Sequence, residues 1–105
     1  MMKRFDLYGS KSLSPGEAAR RLAVVLEMRV EARDSDYRGG EYYLGTGDAA
    51  EKLTVQANFE DEDGYLAEPG FPSHTTLVYV TGANDVTDGR LRSVDGLSLL
   101  RTEVL

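Results

Sequence analysis

The sequence predicts an α+β fold: a mostly antiparallel sheet of five to six strands, one amphipathic helix packed on one face, and a short second helix near the end. Three observations carry the prediction. One capped helical segment stands near the amino terminus, most of the remaining chain alternates with period 2, and clusters of Gly, Pro, Asp and Ser divide it into short runs. A chain of 105 residues suits one hydrophobic core, so a single domain spanning 1–105 is expected.

The first strand is short, with Phe5 and Leu7 alternating with Asp6 and Tyr8 before the turn residues Gly9 and Ser10. Ser14-Pro15-Gly16-Glu17 then places an N-cap serine, a proline at the first helical position and a glutamate able to reach back to the cap amide. Ala18, Leu22, Val25 and Leu26 follow at helical spacing. The helix should therefore run to about residue 26 with Arg20, Arg21 and Glu27 toward water.

The period then changes. Met28, Val30 and Ala32 alternate with Arg29, Glu31 and Arg33, as in a strand with one wet face, and Asp34-Ser35-Asp36 ends it. Arg38-Gly39-Gly40 reads as a turn, Glu41 to Leu44 as a short aromatic strand, and Gly45-Thr46-Gly47-Asp48 as another turn. Leu53, Val55, Ala57 and Phe59 give the clearest alternation in the chain. Residues 60–74, with an acidic run, Pro69, Gly70 and Pro72, break the sheet pattern. Thr75 to Thr81 is a strand buried on both faces, on account of Leu77-Val78-Tyr79-Val80. A short helix beginning near Asn84 or Asp85 is limited by Gly89, and Leu97, Leu99 and Thr102 to Val104 form the last strand.

Hydrophobic residues at 41% and charged residues at 29% argue for a folded chain rather than a disordered one. Without cysteine there is no disulfide framework and no thiolate metal site. The basic start is not followed by the apolar stretch of a signal peptide, and the longest apolar run, Leu22 to Leu26, is far too short to span a bilayer. A cytoplasmic location is expected.

The net charge of −6 is unevenly spread. Residues 1–38 hold eight Lys/Arg against six Asp/Glu, whereas residues 39–105 hold four against twelve. Phosphate contacts need cations, so nucleic acid and anionic membranes are poor partners, and the acidic second part fits either a basic protein surface or plain solubility.

The residues that could carry catalysis or bind a metal form no coherent set in the sequence. The one histidine, His74, lies next to Ser73, but neighbours on an extended backbone point apart, and a surface or loop-anchoring role is favoured. Zinc lacks its usual ligands. Glu60-Asp61-Glu62-Asp63-Gly64 suggests calcium, yet aligning Gly64 with the invariant loop glycine puts Phe59 first and Gly70 twelfth, where oxygen ligands belong. Gly45-Thr46-Gly47-Asp48-Ala49-Ala50 imitates a dinucleotide fingerprint without a helix behind it. No cofactor is expected, and binding without catalysis is the reading these residues favour.

The expected contact surface is the connection that combines Glu60, Asp61, Glu62, Asp63 and Glu68 with Tyr65, Leu66 and Phe71. Its carboxylates would steer a basic partner and Tyr65 would anchor it. A second group, Tyr37 and Tyr42 beside Tyr43, fits either a contact surface or strand packing.

Asp34-Ser35-Asp36-Tyr37-Arg38-Gly39-Gly40-Glu41-Tyr42-Tyr43, followed by Leu53-Thr54-Val55-Gln56-Ala57-Asn58-Phe59 and the acidic connection, resembles the small bacterial immunity proteins of polymorphic toxin and contact-dependent growth-inhibition systems. The resemblance covers most of residues 4–81 as a general pattern. It implies a cytoplasmic antidote that binds a cognate toxin domain and occludes its active site; those toxins that are nucleases are often basic, which suits an acidic partner. That class has many folds and no shared site motif, so no residue role comes with it. The alternative is a small regulatory or ligand-binding domain, homodimeric through an edge strand, in which the tyrosines hold a small molecule.

Overall fold

The computed structural model describes residues 2–35, 37 and 39–105; the turn positions expected of Asp36 and Arg38 lie outside the described residues. Among the described residues, the elements follow in the order β1 (Arg4–Ser10), α1 (Pro15–Val25), β2 (Arg29–Ser35), β3 (Gly40–Thr46), β4 (Lys52–Ala57), β5 (Thr76–Thr81), α2 (Asp85–Arg92) and β6 (Ser98–Val104). The six strands form one sheet in the order β2-β3-β4-β5-β1-β6, antiparallel at every junction. This is the α+β class and the helix content that the sequence predicts.

The first helix starts where its capping residues dictate. Ser14 Oγ accepts from the Glu17 amide at 3.2 Å, and Glu17 Oε1 accepts from the Ser14 amide at 3.3 Å, so two otherwise orphaned donors are satisfied reciprocally. Ala18, Ala19 and Leu22 face the sheet, and Leu26 follows as the C-cap. In α2 the Asn84 side chain caps the Thr87 amide at 2.9 Å, and the Thr87 hydroxyl donates to the Ala49 carbonyl at 2.6 Å. These bonds fix a short helix despite Gly89.

The core lies between the helices and one face of the sheet, where Tyr8, Leu22, Leu53, Val55, Val78, Val80 and Leu91 are buried. Registers align Val78 with both Tyr8 and Val55, and Val80 with both Asp6 and Leu53. In β1 the helix-facing residues are therefore Asp6 and Tyr8, while Leu7 is buried on the opposite face. The simple apolar–polar alternation of Phe5 to Tyr8 fails because β1 is an inner strand covered on both sides.

Two boundaries also move. β3 continues through Gly45 and Thr46, with Gly45 opposite Leu53, where a Cβ would stand 3.1 Å from the leucine side chain. β4 stops at Ala57, short of the expected Phe59, because Asn58 turns the chain off the sheet. Of the two edges, β2 carries Arg29, Glu31 and Arg33 in line, with ion pairs at 3.6 and 2.7 Å, a charged rim that discourages edge-to-edge pairing.

Candidate functional site

The helix-free face of the sheet is where the acidic connection lies. Asn58 organises it. The Asn58 amide nitrogen donates to the carbonyls of Glu68 and Phe71 at 3.3 and 3.0 Å, and its side-chain oxygen accepts from the Glu68 amide at 2.9 Å. Backbone bonds from Asn58 to Thr75 and from Ala67 to Phe59, each 2.9 Å, close the loop on itself. One half-buried polar residue thus sets the course of a segment that has no regular structure.

At its far end the segment makes a tight projection. Glu60 pairs with Leu66, the Asp61 carboxylate accepts from the Asp63 and Tyr65 amides at 2.9 Å each, and Gly64 turns the chain at φ +85°. Glu60, Asp61, Glu62, Asp63 and Tyr65 are all exposed, Tyr65 by 67%. The expected acidic and aromatic contact residues therefore stand together at one tip.

Glu68 is placed differently from the others. Its side chain is only 15% exposed; Oε1 meets Arg101 Nη1 at 2.8 Å, and Oε2 accepts from the Tyr79 hydroxyl at 3.2 Å. It latches the connection to β5 and β6.

Between the connection and the sheet is an open concavity of about 520 Å³. Lys52, Thr54, Gln56, Tyr79 and Thr81 of β4 and β5 form its floor, and Phe59, Ala67 and Tyr37 its sides. The register sets Lys52 opposite Thr81 and Thr54 opposite Tyr79, so these side chains share one face. Thr54 and Gln56 are buried although polar, at 2% and 3% exposure. Tyr37, 94% exposed, stands at the rim. Strand alternation puts Tyr42 on the side of Leu44, the partner of Thr54, and thus on this face as well. Tyr43 goes the other way, packing against the core with its hydroxyl donating to Glu41 at 2.7 Å. The tyrosine group is split between the two faces.

Sequence reasoning missed Lys52, Thr54, Gln56, Phe59, Ala67, Tyr79 and Thr81 as lining residues. A signal was present in Thr54 and Gln56, polar side chains at alternate positions of a strand whose other face is apolar. What turns them into the floor of a concavity is the path of residues 58–75.

The other concentration of charge joins β1 to α2. Arg4 pairs with the buried Asp6 at 2.9 Å and approaches Asp85 and Asp88 at 3.5 and 3.7 Å, while Thr102 donates to Asp6 at 2.8 Å. The Tyr8 hydroxyl donates to Asp88, which also holds Arg92 at 3.0 Å. Burial, followed by the bond to Asp88, raises the Tyr8 phenol well above its ordinary pKa. Burial opposes ionisation of Asp88, but hydrogen bonds from Tyr8 and Arg92 and the charges of Arg92 and Arg4 outweigh it and hold the carboxyl below its usual value. A phenol kept protonated and a carboxyl kept ionised in this way make a structural tie between strand and helix.

Gly45 and Thr46 end β3 and Gly47-Asp48 begin the turn into β4, with no helix following, so the resemblance to a dinucleotide fingerprint has no structural counterpart. Among the described residues there is no group of three or more His, Cys, Asp or Glu side chains placed to hold a metal ion. No helix among them is long and apolar enough to cross a membrane. No protein-family model matches the chain, and no curated protein or solved structure matches it either.

Proposed function

We propose that the chain is an immunity-type binding protein: in the cytoplasm it docks a cognate toxin domain with a basic surface against the helix-free face of its sheet and covers that domain's active site, without catalysis of its own. The observation that carries this reading is the tip at residues 60–65, where four carboxylates and Tyr65 project beside an open, aromatic-sided concavity. Crowded like charges on a small domain cost self-repulsion that a basic partner relieves, and an exposed tyrosine next to a cavity suits a contact anchor. The same charge makes nucleic acid a poor ligand.

The test is co-production of the chain with a toxin domain encoded beside it, comparing the parent with a Glu60→Gln, Glu62→Gln, Asp63→Asn variant. Asp61 is left in place because it caps the tip. The parent should protect growth, and the variant should associate about tenfold more slowly at low salt with little change at high salt. Equal protection and equal on-rates would remove the tip from the interface.

A second reading has its own observation. The floor of Lys52, buried Thr54 and Gln56, Tyr79 and Thr81 suits a small polar ligand, in keeping with a regulatory or ligand-binding domain that pairs through an edge strand. Under that reading Gln56→Ala abolishes ligand-induced NMR shifts, whereas the tip variant leaves them unchanged.

A further inference from the structure

At the opposite end of the same face, the chain carries chemistry of a different sign. A cavity of about 280 Å³ opens between the β1–α1 connection, the α2–β6 connection and His74, lined by Gly9, Lys11, Ser12, His74, Gly96 and Ser98. The chain has a net charge of −6, yet this lining combines an ammonium, an imidazole and two hydroxyls, with no carboxylate.

Two glycines let its walls approach closely. A Cβ on Gly9 would lie 3.2 Å from His74 Cδ2 and 2.6 Å from Leu100 Cδ1; one on Gly96, at φ +87°, would lie 2.8 Å from Ser12 Oγ. Backbone rather than side chain therefore meets His74 and Ser12. The turn bearing Lys11 and Ser12 is fixed by Ser10 Oγ, which accepts from the amides of Ser12 and Leu13 at 3.2 and 2.9 Å. His74 is fixed by its amide bond to the Phe71 carbonyl at 3.1 Å and by an edge contact with the Phe71 ring. Its Nδ1 is buried without a hydrogen-bond partner among the described residues. Burial, and then the charge of Lys11, hold the imidazole below its ordinary pKa, so it is neutral at pH 7 and gains a proton readily only when a counter-charge arrives.

We propose that this cavity binds a small tetrahedral oxyanion, either free or as the phosphoryl group of a larger molecule. Lys11 supplies charge, and the Ser12 and Ser98 hydroxyls donate from two separate segments, an arrangement that meets acceptors in several directions better than a planar carboxylate does. The imidazole takes up a proton as the anion enters, which adds a second cation to the site. The site shares no residue with the tip or with the concavity beside it, so its failure or success leaves the proposed function untouched.

His74 is the chain's only histidine, so its imidazole NMR signals report the site unambiguously. The probe is sulfate, whose charge is constant across about pH 5.5 to 8, where an imidazole titrates; chloride balances the ionic strength. Saturable shifts are expected, with a raised His74 pKa and binding about threefold tighter or more at the acid end of the range. Lys11→Ala, at an exposed position, should weaken binding about fivefold or more. Shifts no larger than those in chloride alone, or unchanged binding by Lys11→Ala, overturn the proposal. Glycerol 2-phosphate assigns the source: tighter binding than sulfate indicates a phosphoryl group on a larger molecule, and equal or weaker binding a free anion.

Discussion

Asp61 and Glu62 are adjacent carboxylates at the same tip, and their surroundings give them different roles. Asp61 accepts two backbone amides at 2.9 Å and holds the turn, while Glu62 is exposed. Asp61→Ala should therefore cost about 1 kcal/mol in urea unfolding and shift the amide signals of residues 62–65, whereas Glu62→Gln should stay within about 0.5 kcal/mol. A binding experiment that neutralised both would confuse a lost contact with a lost turn. Tyr8 presents the same problem in the core. Its ring is fully buried and its hydroxyl donates to Asp88, so Tyr8→Phe keeps the packing and removes one charge-assisted bond. Arg92 at 3.0 Å and Arg4 at 3.7 Å remain to hold Asp88 ionised. The expected loss is about 1–2 kcal/mol, with the Asp88 carboxyl titrating at higher pH than in the parent, both readable by denaturation and carboxyl NMR.

The end of α1 shows how an element is completed against local preference. Leu26 is the C-cap, Glu27 stands at φ +51°, and the bonds from the Glu27 amide to Val24 (3.3 Å) and from the Met28 amide to Ala23 (3.1 Å) form the paired closure that normally has glycine at this position. An L side chain in that conformation costs about 1–2 kcal/mol, and its distant approach to Arg90, 4.0 Å between exposed groups, returns little. Glu27→Gly should raise stability by roughly 0.5–1 kcal/mol, measured as an increased urea midpoint at unchanged slope. The start of this helix was legible in the sequence because Ser14, Pro15 and Glu17 act over one turn. Its left-handed end was not, since no glycine marks it. The same division holds for the sheet and the site. Alternation located β2 and β4 and a continuous apolar run located β5, but strand order and the inner position of β1 depend on pairings such as Tyr8 with Val78, far apart along the chain. The acidic tip was legible as composition. The inward turn of Glu68 and the concavity over Thr54 and Gln56 were not, because both arise from where Asn58 sends residues 58–75.

At the scale of the molecule, two groups whose ionisation folding alters lie on opposite sides of the sheet and titrate in different ranges. His74 has a folded pKa below its ordinary 6.5, so the stability linked to its neutral form is fully present above pH 6.5 and is lost as pH falls through the folded value. Asp88 has a folded pKa below its ordinary 3.8, so the stability linked to its ionised form is present above pH 3.8 and is lost only as pH falls through that lower value. Acidification should therefore destabilise the chain in two separate windows. Protonating the acidic residues of 39–105 also relieves their mutual repulsion, so the measurement is the difference between parent and variant at each pH, not the parent curve alone. Thermal melts of His74→Gln should lack the loss that begins below pH 6.5 and keep the acid one, while Asp88→Asn should keep the first and reduce the second, to which the Glu17 carboxyl of the capping box also contributes, from a lower starting stability. If His74→Gln melted in parallel with the parent throughout, the imidazole would not be held neutral by its surroundings. Sulfate should then act on one window alone: an oxyanion beside Lys11 favours the imidazolium, so saturating sulfate should offset the parent's loss below pH 6.5 and leave the Asp88 window unchanged.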